Sequence, residues 1–166
     1  LGINEDDFNT AKASFTGAAK RLELLNATNE TSVYKDFAHS PSKLKATIDA
    51  VKAQFANRSL VACIELHTFS SLNKTFLNEY RDSMNEADLA VVYIDEKTFK
   101  HKNMEPLNAL DVQVSFNDKN IKFFNEATAL EAYLRSLNFK NTNLLLMSSG
   151  NFGGMDLAKL ALELNV

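Results

Sequence analysis

Three short apolar runs constrain the fold more than anything else in this chain: Leu60-Val-Ala-Cys-Ile-Glu-Leu66, Leu89-Ala-Val-Val-Tyr-Ile94 and Leu144-Leu-Leu-Met147. Runs this short and this continuous are expected of strands covered on both faces, as in a parallel sheet flanked by helices. The intervening segments have helical periodicity. Ser40 is placed to cap a helix with Pro41 at its first position, and Leu44, Ile48, Val51 and Phe55 recur on one face. Ser70 is expected to cap another helix, with Leu72, Phe76, Leu77, Tyr80 and Met84 as its buried stripe. Ile121 to Phe124 reads as a short strand. Glu126 to Leu137 reads as a helix with Leu130, Tyr133, Leu134 and Leu137 inward, and a last helix spans about Met155 to Leu164.

Ahead of these, Asn4 would cap a helix reaching Phe15, with Glu5, Asp6 and Asp7 at the positive end of its dipole. Arg21 to Leu25 and Ser32 to Phe37 are expected strands, joined as a hairpin by the polar turn Asn26 to Glu30. The segment from Asp95 to Phe116, with Pro106 and weak periodicity, receives no element. Strands alternating with helices imply an α/β domain whose sheet is mostly parallel, and the antiparallel hairpin makes it mixed.

Length and composition narrow the function. The 166 residues fit one domain with a sizeable core. A formal charge of −3 argues against a dedicated nucleic-acid binder or a polybasic membrane-surface protein, because both need a basic surface. No apolar run approaches the ~20 residues of a membrane helix. The opening Leu-Gly-Ile-Asn-Glu-Asp-Asp lacks the features of a secretory signal and has no initiator Met, so a processed chain or a piece of a longer protein is expected. The lone Cys63 sits in an apolar run, where a buried structural thiol suits a reducing cytoplasm.

In open α/β sheets, ligands bind beyond the carboxyl ends of the strands. Three such ends carry polar residues here: Asp36-Phe-Ala-His39-Ser-Pro41, Glu65-Leu-His67-Thr-Phe-Ser70-Ser71 and Ser148-Ser-Gly150-Asn-Phe-Gly-Gly154. Parallel strands would bring all three to one edge. Three of the five glycines fall in the last loop, where they let the backbone approach a ligand. Plainer readings stand beside each. Asp36 would also suit a turn as an acceptor for neighbouring amides, His39 as a half-buried turn residue, and the glycines as a sharp entry to a helix. His101, between two lysines, reads as a solvated surface residue. The Gly-rich loop has neither the Lys-Ser/Thr ending of a P-loop nor the spacing of a dinucleotide fingerprint. No nucleophile–base pair, metal-ligand cluster or pair of catalytic carboxylates follows from spacing.

Taken together, Lys20-Arg-Leu-Glu-Leu-Leu25, Val33-Tyr-Lys-Asp-Phe-Ala-His-Ser-Pro41 and Met147-Ser-Ser-Gly-Asn-Phe-Gly-Gly154 resemble the C-terminal domain of a Mur ligase over nearly the whole chain. The Asn-Phe-Gly-Gly ending favours the murein-peptide branch of that family over the alanine-adding branch. The resemblance implies a Rossmann-like three-layer domain, one of three in an ATP-dependent ligase. The N-terminal domain would hold UDP-N-acetylmuramate, and the central domain the P-loop and Mg2+. The amine acceptor would be the recycled tripeptide L-alanyl-γ-D-glutamyl-meso-diaminopimelate. It further implies ATP contacts at Asp36, Phe37 and His39, and acceptor contacts at His67, Ser70, Ser148, Ser149, Gly150, Asn151 and Phe152. No catalytic or metal-binding residue is expected in this domain.

Three departures qualify the match. Lys35 stands where many relatives carry a second acid, and Thr68 and Ser71 stand where alanine-adding relatives have arginines. No Gly-x-x-x-x-Gly-Lys-Thr/Ser segment exists, so this chain alone is expected to be inactive, phosphoryl transfer being mostly positioning and electrostatics. An alanine-adding ligase and a non-catalytic binding module with the same fold are the alternatives.

Overall fold

The computed structural model describes residues 22–164. The helix expected over 4–15 lies outside them. A hairpin opens the described chain: β1 (Glu23–Ala27) pairs antiparallel with β2 (Ser32–Asp36), with a register irregularity between Leu24 and Asn26. Four further strands follow, β3 (Ser59–Glu65), β4 (Leu89–Tyr93), β5 (Lys122–Phe124) and β6 (Thr142–Met147). The sheet order is β1-β2-β6-β3-β4-β5, and every pair except β1–β2 is parallel. The expected mixed, mostly parallel sheet is therefore present. The last strand lies between the second and third.

Alternation along each strand sends side chains to two cores. Ala62 and Ile64 of β3 join Tyr34, Val92 and Leu145 under α1 (Pro41–Gln54), whose Leu44, Ile48 and Val51 are buried. Val61 and Cys63 join Val33, Val91 and Leu146 on the other face, packed by later helices. Cys63 is fully buried, and burial, followed by the charge of Glu65, pushes its thiol well above its ordinary range, so it stays protonated and inert.

The helices differ from the sequence expectation where polar caps decide their lengths. Ser40 precedes Pro41 in extended conformation, but its side chain makes no capping bond. The helix expected from Ser70 is reduced to one turn, α2 (Lys74–Leu77), followed by a 3-10 turn at Asn78–Tyr80. Asn73 caps it instead, accepting from the amides of Thr75 and Phe76. Phe76, assigned to the buried stripe, is partly exposed, while Tyr80 is buried and stacks on Phe116 at 5.2 Å.

The unassigned stretch 95–116 holds two helices, α3 (Glu96–Lys102) and α4 (Ala109–Phe116). Asp95 caps the first; Asn108 and Asp111 form a reciprocal capping box on the second. Asn103 and Asn117 end them in left-handed conformation, which asparagine tolerates. α5 (Ala127–Ser136) and α6 (Leu157–Glu163) cover the second face with Leu130, Leu134, Leu157 and Leu160.

Polar side chains close the amino edge of the sheet. Asn143 is buried and its Oδ1 accepts from Ser32 N at 3.0 Å and Arg58 Nη1 at 3.1 Å. The Arg58 guanidinium also donates to the Asn29 carbonyl and lies 4.8 Å over the Phe55 ring. Deleting an aliphatic side chain from the centre of such a packed sheet leaves a cavity. Ile64→Ala is expected to cost about 2–5 kcal/mol of unfolding free energy, read by chemical denaturation.

Candidate functional site

The connections place a crevice at the carboxyl edge. The chain leaves β2 into α1 on one face and leaves β6 toward α6 on the other. Adjacent strands whose exits diverge leave an opening between them, where ligands of open α/β sheets bind. Parallel register sets Asp36 beside Met147 and Ile64 beside Met147, so the three polar strand ends converge there as the sequence implied.

The first lip is the turn after β2. Asp36 is 7% exposed, and its carboxylate is engaged by protein donors. Oδ2 accepts from Leu22 N at 2.6 Å; Oδ1 accepts from Ala38 N at 2.7 Å and more weakly from Thr47 Oγ1 at 3.4 Å. Oδ1 shapes the turn, as the plainer reading of Asp36 expects, and Oδ2 ties the turn to Leu22, just ahead of β1. What the turn presents outward is the Phe37 ring, 43% exposed, and His39, set edge-on to it at 5.3 Å. His39 Nδ1 lies 2.9 Å from the Phe37 carbonyl, which can only accept, so Nδ1 carries the proton and Nε2 remains an acceptor in the neutral ring. Tyr80 donates to the His39 carbonyl at 2.5 Å, and burial pushes its hydroxyl up to about 12. Beside the turn is a cavity of about 470 Å³, bounded by Leu22, Phe37, Lys43, Ala46, Thr47 and Ala50.

The second lip joins the loops after β3 and β6. Glu65, buried at 4% exposure, accepts from the Ser148 hydroxyl and from Phe152 N at 2.9 Å. Ser148 Oγ in turn accepts from Gly150 N at 2.7 Å. His67 Nε2 and Ser149 Oγ face each other at 3.4 Å. Thr68, Ser70 and Ser71 form a compact turn of mutual hydroxyl and amide bonds, leaving Ser70 exposed.

Two of the expected contact residues have buried side chains. Phe152 is 1% exposed and stacks on Tyr93 at 6.2 Å, so its ring belongs to the core. Ser148 is also buried, with its hydroxyl donating to Glu65 and accepting from Gly150, so it serves the loop's shape. Ser149, Gly150 and Asn151 remain the accessible part of that loop.

Sequence reasoning missed Glu65, Tyr93 and Asp95 as site residues. The signal available was a polar residue closing each apolar run. Gly153 holds φ +67°, and a Cβ there would stand 2.5 Å from Tyr93 Oη and 3.6 Å from Asp95 Oδ2. Among the described residues, the buried side-chain atoms without a hydrogen-bond partner are Tyr93 Oη and His67 Nδ1. Both lie at the carboxyl edge, in contrast to the satisfied network at Arg58 and Asn143. Burial, then the charges of Asp95 and Glu65, push the Tyr93 hydroxyl far above its ordinary range, so it remains a neutral donor.

Comparison with known proteins agrees with this fold. Residues 20–150 match the family Mur ligase, glutamate ligase domain. The chain belongs to this family. It is a Mur ligase C-terminal domain. A UDP-N-acetylmuramate–L-alanine ligase of Agathobacter rectalis is 31% identical over 154 residues, covering 91% of this chain and 33% of that protein. This Mur ligase domain therefore spans about a third of the length of such curated relatives. A crystallised domain of Haemophilus ducreyi, assigned to a UDP-N-acetylmuramate:L-alanyl-γ-D-glutamyl-meso-diaminopimelate ligase, superposes with TM-score 0.63 at 28% identity, covering 87% of this chain and 99% of its own. Murein peptide ligase from Psychrobacter arcticus shares the fold with TM-score 0.68 at 21% identity, over 95% of this chain and 32% of its own.

The unpartnered Tyr93 hydroxyl generates a test. Removing a buried donor that has no acceptor relieves a desolvation penalty, so Tyr93→Phe should leave stability unchanged or raise it by up to about 1 kcal/mol. Thermal unfolding reads this; a loss beyond about 1 kcal/mol would mean the hydroxyl has a partner.

Proposed function

We propose that this Mur ligase domain is the C-terminal third of an ATP-dependent ligase that joins L-alanyl-γ-D-glutamyl-meso-diaminopimelate to UDP-N-acetylmuramate. The observation that carries the reading is the convergence of the 36–39 turn and the 148–152 loop on one crevice, at opposite sides of β6. Two lips with different chemistry suit two substrates. The turn, with an exposed aromatic ring, a histidine acceptor and an adjoining cavity with Lys43 on its wall, suits a nucleotide. The loop, with half-buried Ser149, exposed Gly150 and Asn151 and the His67 ring beside it, suits a polar peptide.

In this reaction the muramate carboxylate attacks the γ-phosphate of ATP, releasing ADP and forming an acyl phosphate. The acceptor amine, having lost a proton, attacks the acyl carbon; the C–N bond forms as the C–O bond to phosphate breaks. Mg2+ bound by the central domain would neutralise the phosphate charge. Among the described residues no group of three or more His, Cys, Asp or Glu side chains is arranged to hold a metal ion. In this reading the domain orients the substrates, and orientation is a large part of phosphoryl- and acyl-transfer catalysis. Alone, the domain would bind ATP weakly and catalyse nothing.

The murein-peptide branch is supported by the Asn-Phe-Gly-Gly loop and by the Haemophilus domain at 28% identity. Thr68 and Ser71, in place of the arginines of alanine-adding relatives, favour the same branch, and their hydroxyls bond each other at 2.8 Å. A second reading, ligation of L-alanine, is favoured by the name of the Agathobacter relative. No described helix is long and apolar enough to cross a membrane, and a cytoplasmic site of action fits the nucleotide-linked substrates.

The deciding experiment offers both amines to the full-length protein with ATP, Mg2+ and UDP-N-acetylmuramate. A preference for the tripeptide by about tenfold or more in kcat/KM is expected. Preference for L-alanine establishes the second reading, and no ligation of either removes the ligase assignment.

A further inference from the structure

Glu65 closes the apolar run of β3, and its charge is met by the loop that follows β6 rather than by its own strand. A buried carboxylate is costly unless strong donors reach it. Here one oxygen, Oε2, accepts from the Ser148 hydroxyl and from Phe152 N at 2.9 Å. Ser148 Oγ then takes the Gly150 amide at 2.7 Å, so the segment 148–152 is gripped at both ends by a single atom. Phe152 is held at φ +51°, a left-handed conformation that bulky residues rarely adopt. The hydrogen bond its N–H donates to Glu65 and its stack on Tyr93 offset that strain.

Gly150 completes the device. A Cβ at Gly150 would stand 2.7 Å from Glu65 Oε2 and 3.2 Å from His67 Cε1. The loop backbone therefore lies directly against the carboxylate, with no room for a side chain between them. Residues Ser149, Gly150 and Asn151, the accessible part of the loop, have their position fixed from beneath by Glu65.

We propose that Glu65 is a positioning residue for the acceptor amine: through Ser148, Gly150 and Phe152 it sets where Ser149 to Asn151 meet the acceptor. This rests on the ligase reading above. The carboxylate touches no substrate itself. Its own bonds run to the acceptor loop, whereas the nucleotide lip meets that loop through the Ser148 amide on the Asp36 carbonyl at 3.0 Å, a backbone bond that continues the β2–β6 ladder and does not involve the Glu65 carboxylate.

The test uses the full-length protein and steady-state rates with ATP, UDP-N-acetylmuramate and the amine varied in turn. Glu65→Ala and Gly150→Ala should each lower kcat/KM for the acceptor by about tenfold or more, as misplacement of a reacting group by an ångström does, with KM for ATP changed by less than about twofold. Glu65→Gln keeps an oxygen for the two donors and should recover most of the loss. In the double variant the methyl group added at position 150 no longer meets a carboxylate, so the added loss should be smaller than in the single Gly150→Ala protein. Equal losses for ATP and acceptor, no loss in either variant, or losses in the double variant that simply multiply would overturn the proposal. Should Glu65→Ala fail to fold, Glu65→Gln and Gly150→Ala decide by the same acceptor-against-ATP comparison. A wild-type protein that ligates neither amine defeats the ligase reading instead, so the two failures are separable.

Discussion

The parallel pairing of β6 between β2 and β3 is the constraint on which the rest of the structure depends. Its ladder matches Val33–Asp36 to Leu144–Met147 on one side and Ser59–Ile64 to Thr142–Met147 on the other. All six residues of β6 are buried, as a central strand with helices on both faces requires. Because the register is fixed on both sides, the turn after Asp36, the loop after Met147 and the end of β3 emerge at one level. A slip of one residue would exchange the two faces of β6 and separate the lips of the crevice.

Much of this was legible in the chain. Continuous apolar runs announced β3, β4 and β6, and Ser40-Pro41 marked the start of α1 correctly even though the serine side chain does not cap it. Missed elements were those held by polar side chains instead of apolar periodicity. α3 and α4 depend on Asp95 and on the Asn108–Asp111 capping box, and end at left-handed Asn103 and Asn117. α2 is short because Asn73, not Ser70, satisfies its first amides. The position of β6 within the sheet had no local signal at all, since it is set by packing over long sequence separation.

The site was legible as a place more than as a set of contacts. Spacing located the three strand ends, but it could not say which side chains turn inward. The side chains of Phe152 and Ser148, expected at a ligand, hold the loop through a stack on Tyr93 and a bond to Glu65. Asp36 likewise gives one oxygen to its own turn and the other to the Leu22 amide just ahead of β1. Exposure then falls to Phe37, His39, Ser149, Gly150 and Asn151, with charged groups beneath them. Such an arrangement separates fixing from contacting: buried carboxylates define backbone shape, and the backbone and rings above them meet the substrate.

The central claim is that both lips of one crevice engage substrates together. Hydrogen exchange of the full-length protein, with and without a non-hydrolysable ATP analogue, UDP-N-acetylmuramate and the acceptor, tests it most directly. Slower exchange is predicted for peptides spanning 36–40 and 148–153, with peptides at the amino edge, around 57–59 and 140–143, unchanged. Protection confined to the amino edge, or none at either lip under saturating substrates, would contradict the account.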